Sequence, residues 1–275
     1  MENFNLNCEL VKKFITEFIK EEVHSNGFNR CVIGLSGGLD SVLVAYLSKE
    51  ALGKENVKAI IMPYKTSNPA SKEDALATVT QLGILYEIID ITKIADAYFK
   101  KEKEMTNIRM GNFLARVRMS ILFDKSREFK ALVMGTSNKS ELILGYSTWY
   151  GDMAASLYPI GDLYKTQIFE FAQFMQIPKK IITKKPSADL WPGQTDEKEL
   201  GAKYIQIDSI LTLYVDQRKT KDEIIAMGYS QKIVESLLNR IKKNQFKRTI
   251  PPVAKFSPTP RTFGLDFLYP HDLGK

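Results

Sequence analysis

The chain has 275 residues, 44% of them hydrophobic and 26% charged, and a formal net charge of +7. Two cysteines are too few for a disulfide framework, and no apolar run reaches the ~18 residues that a membrane span requires. Because the chain lacks an arginine-rich tract and an aromatic stacking motif, its positive charge favours small polyanionic substrates over nucleic acid. We expect a cytoplasmic protein without membrane association.

The first predicted element is an amphipathic helix near the N-terminus. In "ELVKKFITEFIKEEV", apolar residues recur at helical spacing between acids and lysines. The stretch has no apolar h-region and no cleavage site, which argues against a signal peptide. We interpret it as a packed surface helix.

Strand-like runs then alternate with helical patterns. The runs are "RCVIGLS", "VKAIIMPY", "LYEIID" and "ALVMGT". A helix is expected after each run: over 41–52, over 71–82, in segments from the end of the third run to about 129, and from about 139. This alternation predicts an α/β fold, with a doubly wound, mostly parallel sheet, helices on both faces and a ligand at the carboxyl ends of the strands. The second half is more helical, apart from a Pro/Gly-bearing loop over 186–197, and we predict a single domain over 1–275.

The first predicted strand ends in the loop Ser-Gly-Gly-Leu-Asp-Ser, which leads into a helix. Glycines that can adopt positive φ and the free N–H groups of a helix start together make a phosphate cradle. Phosphate would repel Asp40 unless a cation lies between them, which points to Mg²⁺. The loop lacks the spacing of the P-loop and of the dinucleotide fingerprint. The alternative is an ordinary glycine-rich turn with Asp40 as a helix cap.

Three later stretches are candidates for ligand contact. "GNFLARVRM" places Arg116 outside an apolar helical stripe, although Arg116 and Arg118 are alternatively just solvated. "GTSNKSELILGYSTWYGDMAASLYPIGDLYK" begins where a strand ends, and its Glu141 is alternatively a surface acid that compensates the helix dipole. "KKPSADLWPGQTDEKELG" is alternatively a surface loop that Thr195 or Asp196 caps into a helix.

The Ser-Gly-Gly-x-Asp-Ser loop resembles the pyrophosphate-binding loop of the N-type ATP pyrophosphatases, which cleave ATP between its α and β phosphates. The stretches that follow, "GNFLARVRM", "KPSADL" with "DEKELG", and "FKRTIPP", resemble the ammonia-dependent NAD synthetase family, which amidates deamido-NAD. The resemblance covers about residues 28–252. It implies an adenine nucleotide alpha hydrolase-like sheet and a helical C-terminal part.

The resemblance also implies a role for each matching position. The ATP phosphates would be held by Gly34, Leu35, Ser36, Gly37, Gly38, Leu39, Asp40 and Ser41. Further ATP contacts would come from Met62, Thr136, Lys165 and Ser187. The metal ligands for Mg²⁺ would be Asp40 and Glu141, and the catalytic residues Asp40 and Lys165, with the lysine neutralising phosphate charge. Deamido-NAD would contact Arg116, Trp149, Phe246 and Lys247.

Two positions depart from the family pattern, and both belong to the side expected to bind deamido-NAD. Trp149 stands where many members have a lysine, and Ser156 stands where many have an aspartate. The tryptophan either stacks on the nicotinate ring or fills the core, and we favour stacking.

The implied reaction has two steps and needs no side-chain nucleophile. The nicotinate carboxylate attacks the α-phosphorus of ATP and expels pyrophosphate, and ammonia then converts the acyl adenylate into NAD and AMP. A nitrilase-like glutaminase would not fit in a chain of this length, so free ammonia is the expected donor, although a separate glutaminase partner stays open. The resemblance also implies a homodimer.

Two other functions remain as alternatives. A tRNA-modifying ATP pyrophosphatase would share the phosphate loop, but its thiolation members need cysteine pairs that are absent here. A nucleotide-binding module without enzymatic activity would share the sheet, but it would have no need of a second metal carboxylate beside Asp40.

Overall fold

The centre of the molecule is a parallel sheet, seen in a computed structural model that describes residues 6–187, 189, 191, 193–249, 251–252 and 254. Its four strands are β1 (Cys31–Gly34), β2 (Val57–Ile61), β3 (Leu85–Ile88) and β4 (Leu132–Met134). They lie in the order β3-β2-β1-β4, and every pairing is parallel. The strand order reverses beside β1, so the carboxyl ends of β1 and β4 flank the switch point where such sheets bind ligands. The predicted doubly wound sheet is confirmed.

Helices follow the strands and then make up the C-terminal part, as predicted. They are α1 (Cys8–Ser25), α2 (Leu39–Leu52), α3 (Pro69–Leu82), α4 (Thr92–Phe99), α5 (Asn107–Phe129), α6 (Lys139–Leu144), α7 (Lys165–Phe174), α8 (Lys179–Ile182), α9 (Asp196–Leu200), α10 (Tyr204–Leu211), α11 (Lys221–Ala226) and α12 (Gln231–Lys243). Shorter 3₁₀ turns cover Lys54–Asn56 and Gln245–Arg248, and a π-helical turn covers Thr212–Asp216.

The main hydrophobic core lies between the sheet and the helices on it. Cys31, Val32 and Ile33 of β1 are fully buried, as expected of a central parallel strand that is covered on both faces. The predicted N-terminal helix packs on this core through Ile15 and Ile19. A second cluster forms among the C-terminal helices, with Leu144 of α6, Ile207 of α10 and Leu237 of α12 buried together.

Several boundaries differ from the sequence predictions, and α3, for example, begins at Pro69 instead of residue 71 because the side chain of Asn68 caps it. The helix after the first strand begins at Leu39, two residues before the predicted start, because the loop glycines turn tightly. The predicted loop over 186–197 ends at Thr195, since α9 begins at Asp196. The stretch "TIPPVAKFSPTPRTFG" at 249–264 holds four prolines, which predict extended or turned backbone, and most of it lies outside the described residues. Among the helices that the structure describes, none has the length and apolar character to cross a membrane.

Candidate active site

The loop between β1 and α2 is a compact turn that its own side chains hold in place. Gly37 has a φ of 76°, and a Cβ there would lie 2.1 Å from the carbonyl oxygen of Ser71, so only glycine fits. The hydroxyls of Ser36 and Ser41 are 3.0 Å apart, and Ser41 also donates to the carbonyl of Gly38 at 3.0 Å. The loop thus has the shape that a phosphate cradle at a helix N-terminus requires.

Asp40 and Lys165 meet beside this loop. Asp40 lies in the first turn of α2, and Lys165 is the first residue of α7. The Nζ of Lys165 forms an ion pair with Oδ2 of Asp40, and Nδ2 of Asn138 donates to Oδ1 at 3.3 Å. Burial lowers the pKa of Lys165, but the carboxylates of Asp40 and Glu141 outweigh this effect and raise it above the usual value. The lysine therefore stays a cation at neutral pH. It lies beside the loop that is expected to bind the phosphates.

Glu141 adds a second carboxylate to the same region. It forms a capping box at the start of α6, where it accepts from the backbone N–H of Asn138 at 3.2 Å and its own N–H donates to Oδ1 of Asn138 at 3.0 Å. Burial, and then the charge of Asp40, raise the pKa of Glu141 well above its usual value. Glu141 therefore caps α6, as the surface-acid alternative expects, and in addition its carboxylate interacts with the charge of Asp40.

A third acid, Asp196, was assigned only a possible capping role from the sequence. The N-cap of α9 is Thr195, and Asp196 is 4% exposed, with the charges of Lys165 and Asp40 close enough to affect its pKa. The hydroxyls of Tyr146 and Tyr204 each donate to it at 3.2 Å. Burial raises the pKa of Asp196, while the nearby Lys165 lowers it. In the sequence, the only indication that Asp196 belongs to the site is its position in the "DEKELG" stretch, which resembles the family.

Two of these acids suit a Mg²⁺ ion that is shared with a nucleotide. In the part of the chain that the structure describes, no group of three or more His, Cys, Asp or Glu side chains could hold a metal. Mg²⁺ commonly uses one or two carboxylates and completes its shell with water and substrate phosphates. Asp40 and Glu141, whose mutual repulsion a cation would relieve, fit that mode of binding.

Of the further residues predicted to contact ATP, Met62 and Thr136 lie at the carboxyl ends of β2 and β4, and Ser187 lies in the segment after α8. Met62 directly follows β2 and is 7% exposed. The alternative that Arg118 is merely solvated does not hold, because its Nε donates to the carbonyl of Met62 at 3.1 Å and burial lowers its pKa. Thr136 lies in the segment between β4 and α6. Ser187 donates to the carbonyl of Gln194 at 2.8 Å, so in this structure its hydroxyl is bonded within its own loop.

The residues predicted to contact deamido-NAD come together from three parts of the chain. Both Nε and Nη2 of Arg116 on α5 lie within 3.3 Å of the carbonyl oxygen of Trp149. The ring of Trp149 stacks on Tyr150 at 4.3 Å and meets Phe246 edge-on at 5.2 Å. Phe246 is 51% exposed. The tryptophan is therefore part of a half-exposed aromatic cluster and does not fill the core.

Lys247 and Ser156 each form hydrogen bonds within the protein. The Nζ of Lys247 donates to the carbonyls of Gly145 and Ser147 at 2.7 and 2.8 Å, and burial lowers its pKa. The hydroxyl of Ser156 accepts from the N–H of Val133 at 3.2 Å. Lys247 thus secures the turn that carries the aromatic cluster.

The chain places a glycine-containing loop, acids and a buried lysine at the switch point of a parallel sheet, and this arrangement is typical of nucleotide-dependent α/β enzymes. The family model described as NAD synthase matches residues 11–251. The chain belongs to the NAD synthase family, and the family resemblance seen in the sequence is confirmed.

Individual relatives agree with this assignment. An NH(3)-dependent NAD(+) synthetase of Trichlorobacter lovleyi is 48% identical over 100% of both chains. The solved structure of an NH3-dependent NAD synthetase from Campylobacter jejuni, in complex with the nitrate ion, has a TM-score of 0.78 at 38% identity and covers 91% of this chain and 100% of that one. The structure of an NMN synthetase from Francisella tularensis has a TM-score of 0.82 at 29% identity, and the match covers 92% of this chain and 100% of that one.

Proposed function

We propose that this chain amidates deamido-NAD to NAD with ammonia and ATP, and releases AMP and pyrophosphate. It is then a ligase that performs the last step of NAD biosynthesis. The observation that most supports this function is an ion pair. The buried ammonium of Lys165 contacts the carboxylate of Asp40 beside the loop over 34–41. That is where the negative charge of a departing pyrophosphate would build up.

The residues supply positioning and charge in the first step. The nicotinate carboxylate attacks the α-phosphorus in line with the bond to the leaving pyrophosphate. The N–H groups at the N-terminus of α2 and the ammonium of Lys165 stabilise the charge on that leaving group. Mg²⁺, when bound by Asp40 and Glu141, would neutralise phosphate charge. Met62, Thr136 and Ser187 would hold the rest of the ATP.

The aromatic cluster positions the other substrate. Arg116, Trp149 and Phe246 form one surface, and an aromatic face suits the planar nicotinate ring. Lys247 would act through the turn that it binds. In the second step ammonia attacks the carbonyl carbon of the adenylate, the bond to AMP breaks, and the added nitrogen loses a proton.

Ammonia is the donor that the relatives favour. The chain matches a synthetase named for NH(3) over 100% of both sequences. The glutamine-dependent NAD+ synthetase of Acinetobacter baumannii, by contrast, is matched over 48% of its length. We therefore assign free ammonia to the second step.

A second candidate is the amidation of a mononucleotide. The name of the Francisella protein, an NMN synthetase, indicates a mononucleotide product, and its TM-score of 0.82 is high. Trp149 and Ser156 also depart from the family pattern on the nicotinate side. The 48% identity to the T. lovleyi synthetase, against 29% to the Francisella protein, favours the dinucleotide.

The protein is further proposed to act as a cytoplasmic homodimer with one domain over 1–275. An exposed stripe on α5 supports the dimer. Ile108 and Phe123 are 66% and 40% exposed, and Arg116 and Ser120 lie between them at helical spacing on the same face. A dimer built on this stripe would place Arg116, and hence the deamido-NAD site, at the interface.

The test is product formation by the purified protein with Mg²⁺ and ATP. Deamido-NAD and nicotinate mononucleotide are supplied separately, each with ammonium or with glutamine. NAD from deamido-NAD with ammonium alone supports the proposal. A preference for the mononucleotide supports the second candidate, and no pyrophosphate release with either acid contradicts both.

A further inference from the structure

Lys184 forms a hydrogen bond to the loop over 34–41, called the phosphate loop below, although the two are far apart in the sequence. It follows α8 and precedes the segment that carries Ser187. Its Nζ lies 3.0 Å from Oγ of Ser71, 3.1 Å from Oδ2 of Asp74 and 3.5 Å from the carbonyl oxygen of Gly37. One ammonium group therefore joins α3, the phosphate loop and the segment after α8.

Charge pairing with Asp74 does not by itself explain this contact. The carboxylate of Asp74 is 4% exposed, and Lys180 also binds it, with a distance of 2.8 Å to Oδ1. Burial would raise the pKa of Asp74, but hydrogen bonds from Lys180 and Lys184 lower it below the usual value. The side chain of Lys180 is 67% exposed and that of Lys184 is 27% exposed. Of these two lysines, the one that is more enclosed is the one that extends to the loop.

The contact with Gly37 bears on how the loop presents its donors. In a trans peptide the C=O and the following N–H point in opposite directions. A cation that holds the carbonyl of Gly37 therefore fixes the direction of the N–H of Gly38, which donates to Oγ of Ser36 at 3.2 Å. The close approach of Gly37 to the carbonyl of Ser71 means that α3 is the surface against which the loop is held.

We propose that Lys184 is a positioning residue that orients the phosphate loop for ATP and couples it to the segment bearing Ser187. This inference rests on the proposed function, because it assigns ATP to the loop. Lys184 does not need to touch a phosphate for this role. Its effect should fall on ATP and leave deamido-NAD unaffected, since its bonds are to the loop and to α3.

The experiment compares Lys184→Met with the matched control Lys180→Met. Each variant loses one lysine bound to Asp74, but only the first loses the bond to the loop. Binding of Mg·ATP is measured by calorimetry, and the KM values for ATP and deamido-NAD are measured at steady state. We expect the dissociation constant and KM for ATP to rise about tenfold in Lys184→Met, the size of effect seen for a hydrogen bond to a charged group. The KM for deamido-NAD should stay within about twofold, and Lys180→Met should match the wild type.

A third variant, Lys184→Arg, separates loss of the bond from loss of the fold. Arginine keeps the charge and several donors, so ATP binding should recover substantially. Equal ATP affinity in Lys184→Met and Lys180→Met would overturn the inference, and so would equal losses for both substrates. The calorimetric comparison does not depend on NAD formation, so failure of this inference and failure of the proposed function are distinguishable.

Discussion

The ammonium of Lys165 and the carboxylate of Asp40 form an ion pair between the first turns of two helices, with side-chain exposures of 4% and 19%. The pair neutralises a cation that would otherwise be buried alone, which would be costly. Both partners are also the groups expected to meet ATP, the lysine through phosphate and the acid through Mg²⁺. Substrate binding would therefore exchange one set of charge pairs for another and leave no charge unpaired.

Removal of the lysine should slow the first chemical step. Lys165→Ala is expected to lower the rate of pyrophosphate release by ~10²–10³, the usual loss when one preorganised electrostatic group is removed. Lys139→Ala is the matched control, because Lys139 is also the first residue of a helix but pairs with Asp162 and Asp216. Turnover in Lys165→Ala equal to that of the control would remove this lysine from the reaction.

Glu141 should lower the stability of the metal-free protein and strengthen the binding of Mg²⁺. Burial and Asp40 raise its pKa, so above the carboxylate's ordinary pKa the charged form opposes folding. Glu141→Gln should therefore raise the melting temperature of the metal-free protein at neutral pH. The Mg²⁺ concentration for half-maximal activity should rise ~10-fold or more, because even a lost supporting group costs a metal site that much. An unchanged Mg²⁺ requirement would argue against the metal role.

The glycine loop shows what the sequence could reveal. Gly37 occupies a positive-φ position that only glycine tolerates, so the residue type alone indicates the backbone conformation there. The partners of Asp196 and Lys184 could not be found in the same way. Lys184 meets Asp74 across 110 residues, and Tyr146 meets Asp196 across 50. Such contacts depend on how the helices pack around the sheet, and no local pattern encodes that.

The aromatic cluster should act on the nicotinate substrate alone. Stacking of a base on an aromatic side chain contributes ~1–3 kcal/mol, so Trp149→Ala should raise the KM for deamido-NAD by ~5–150-fold. The KM for ATP should stay near the wild-type value, and Trp149→Phe should recover part of the loss. An equal rise in both KM values would indicate a general disturbance of the turn over 145–150.

The exposed stripe on α5 should control the oligomeric state. Ile108→Glu is expected to weaken the dimer ~100-fold or more, since it would bury an unpaired charge at the interface. Phe14→Glu is the control, because Phe14 is also an exposed aromatic residue, at 71%, but belongs to a different helix, α1. Sedimentation velocity at micromolar concentrations distinguishes the states. A wild-type monomer, or a dimer that survives Ile108→Glu, would contradict this interface.

The most direct test of the central claim follows an oxygen atom. Deamido-NAD with ¹⁸O at both oxygens of its nicotinate carboxylate is converted in the presence of ATP, Mg²⁺ and ammonium, and the products are analysed by mass spectrometry. Attack of the carboxylate on the α-phosphorus predicts one ¹⁸O atom in AMP for each NAD formed, and none in pyrophosphate. Label in pyrophosphate or inorganic phosphate, or NAD formed with unlabelled AMP, would contradict an adenylated intermediate at this site.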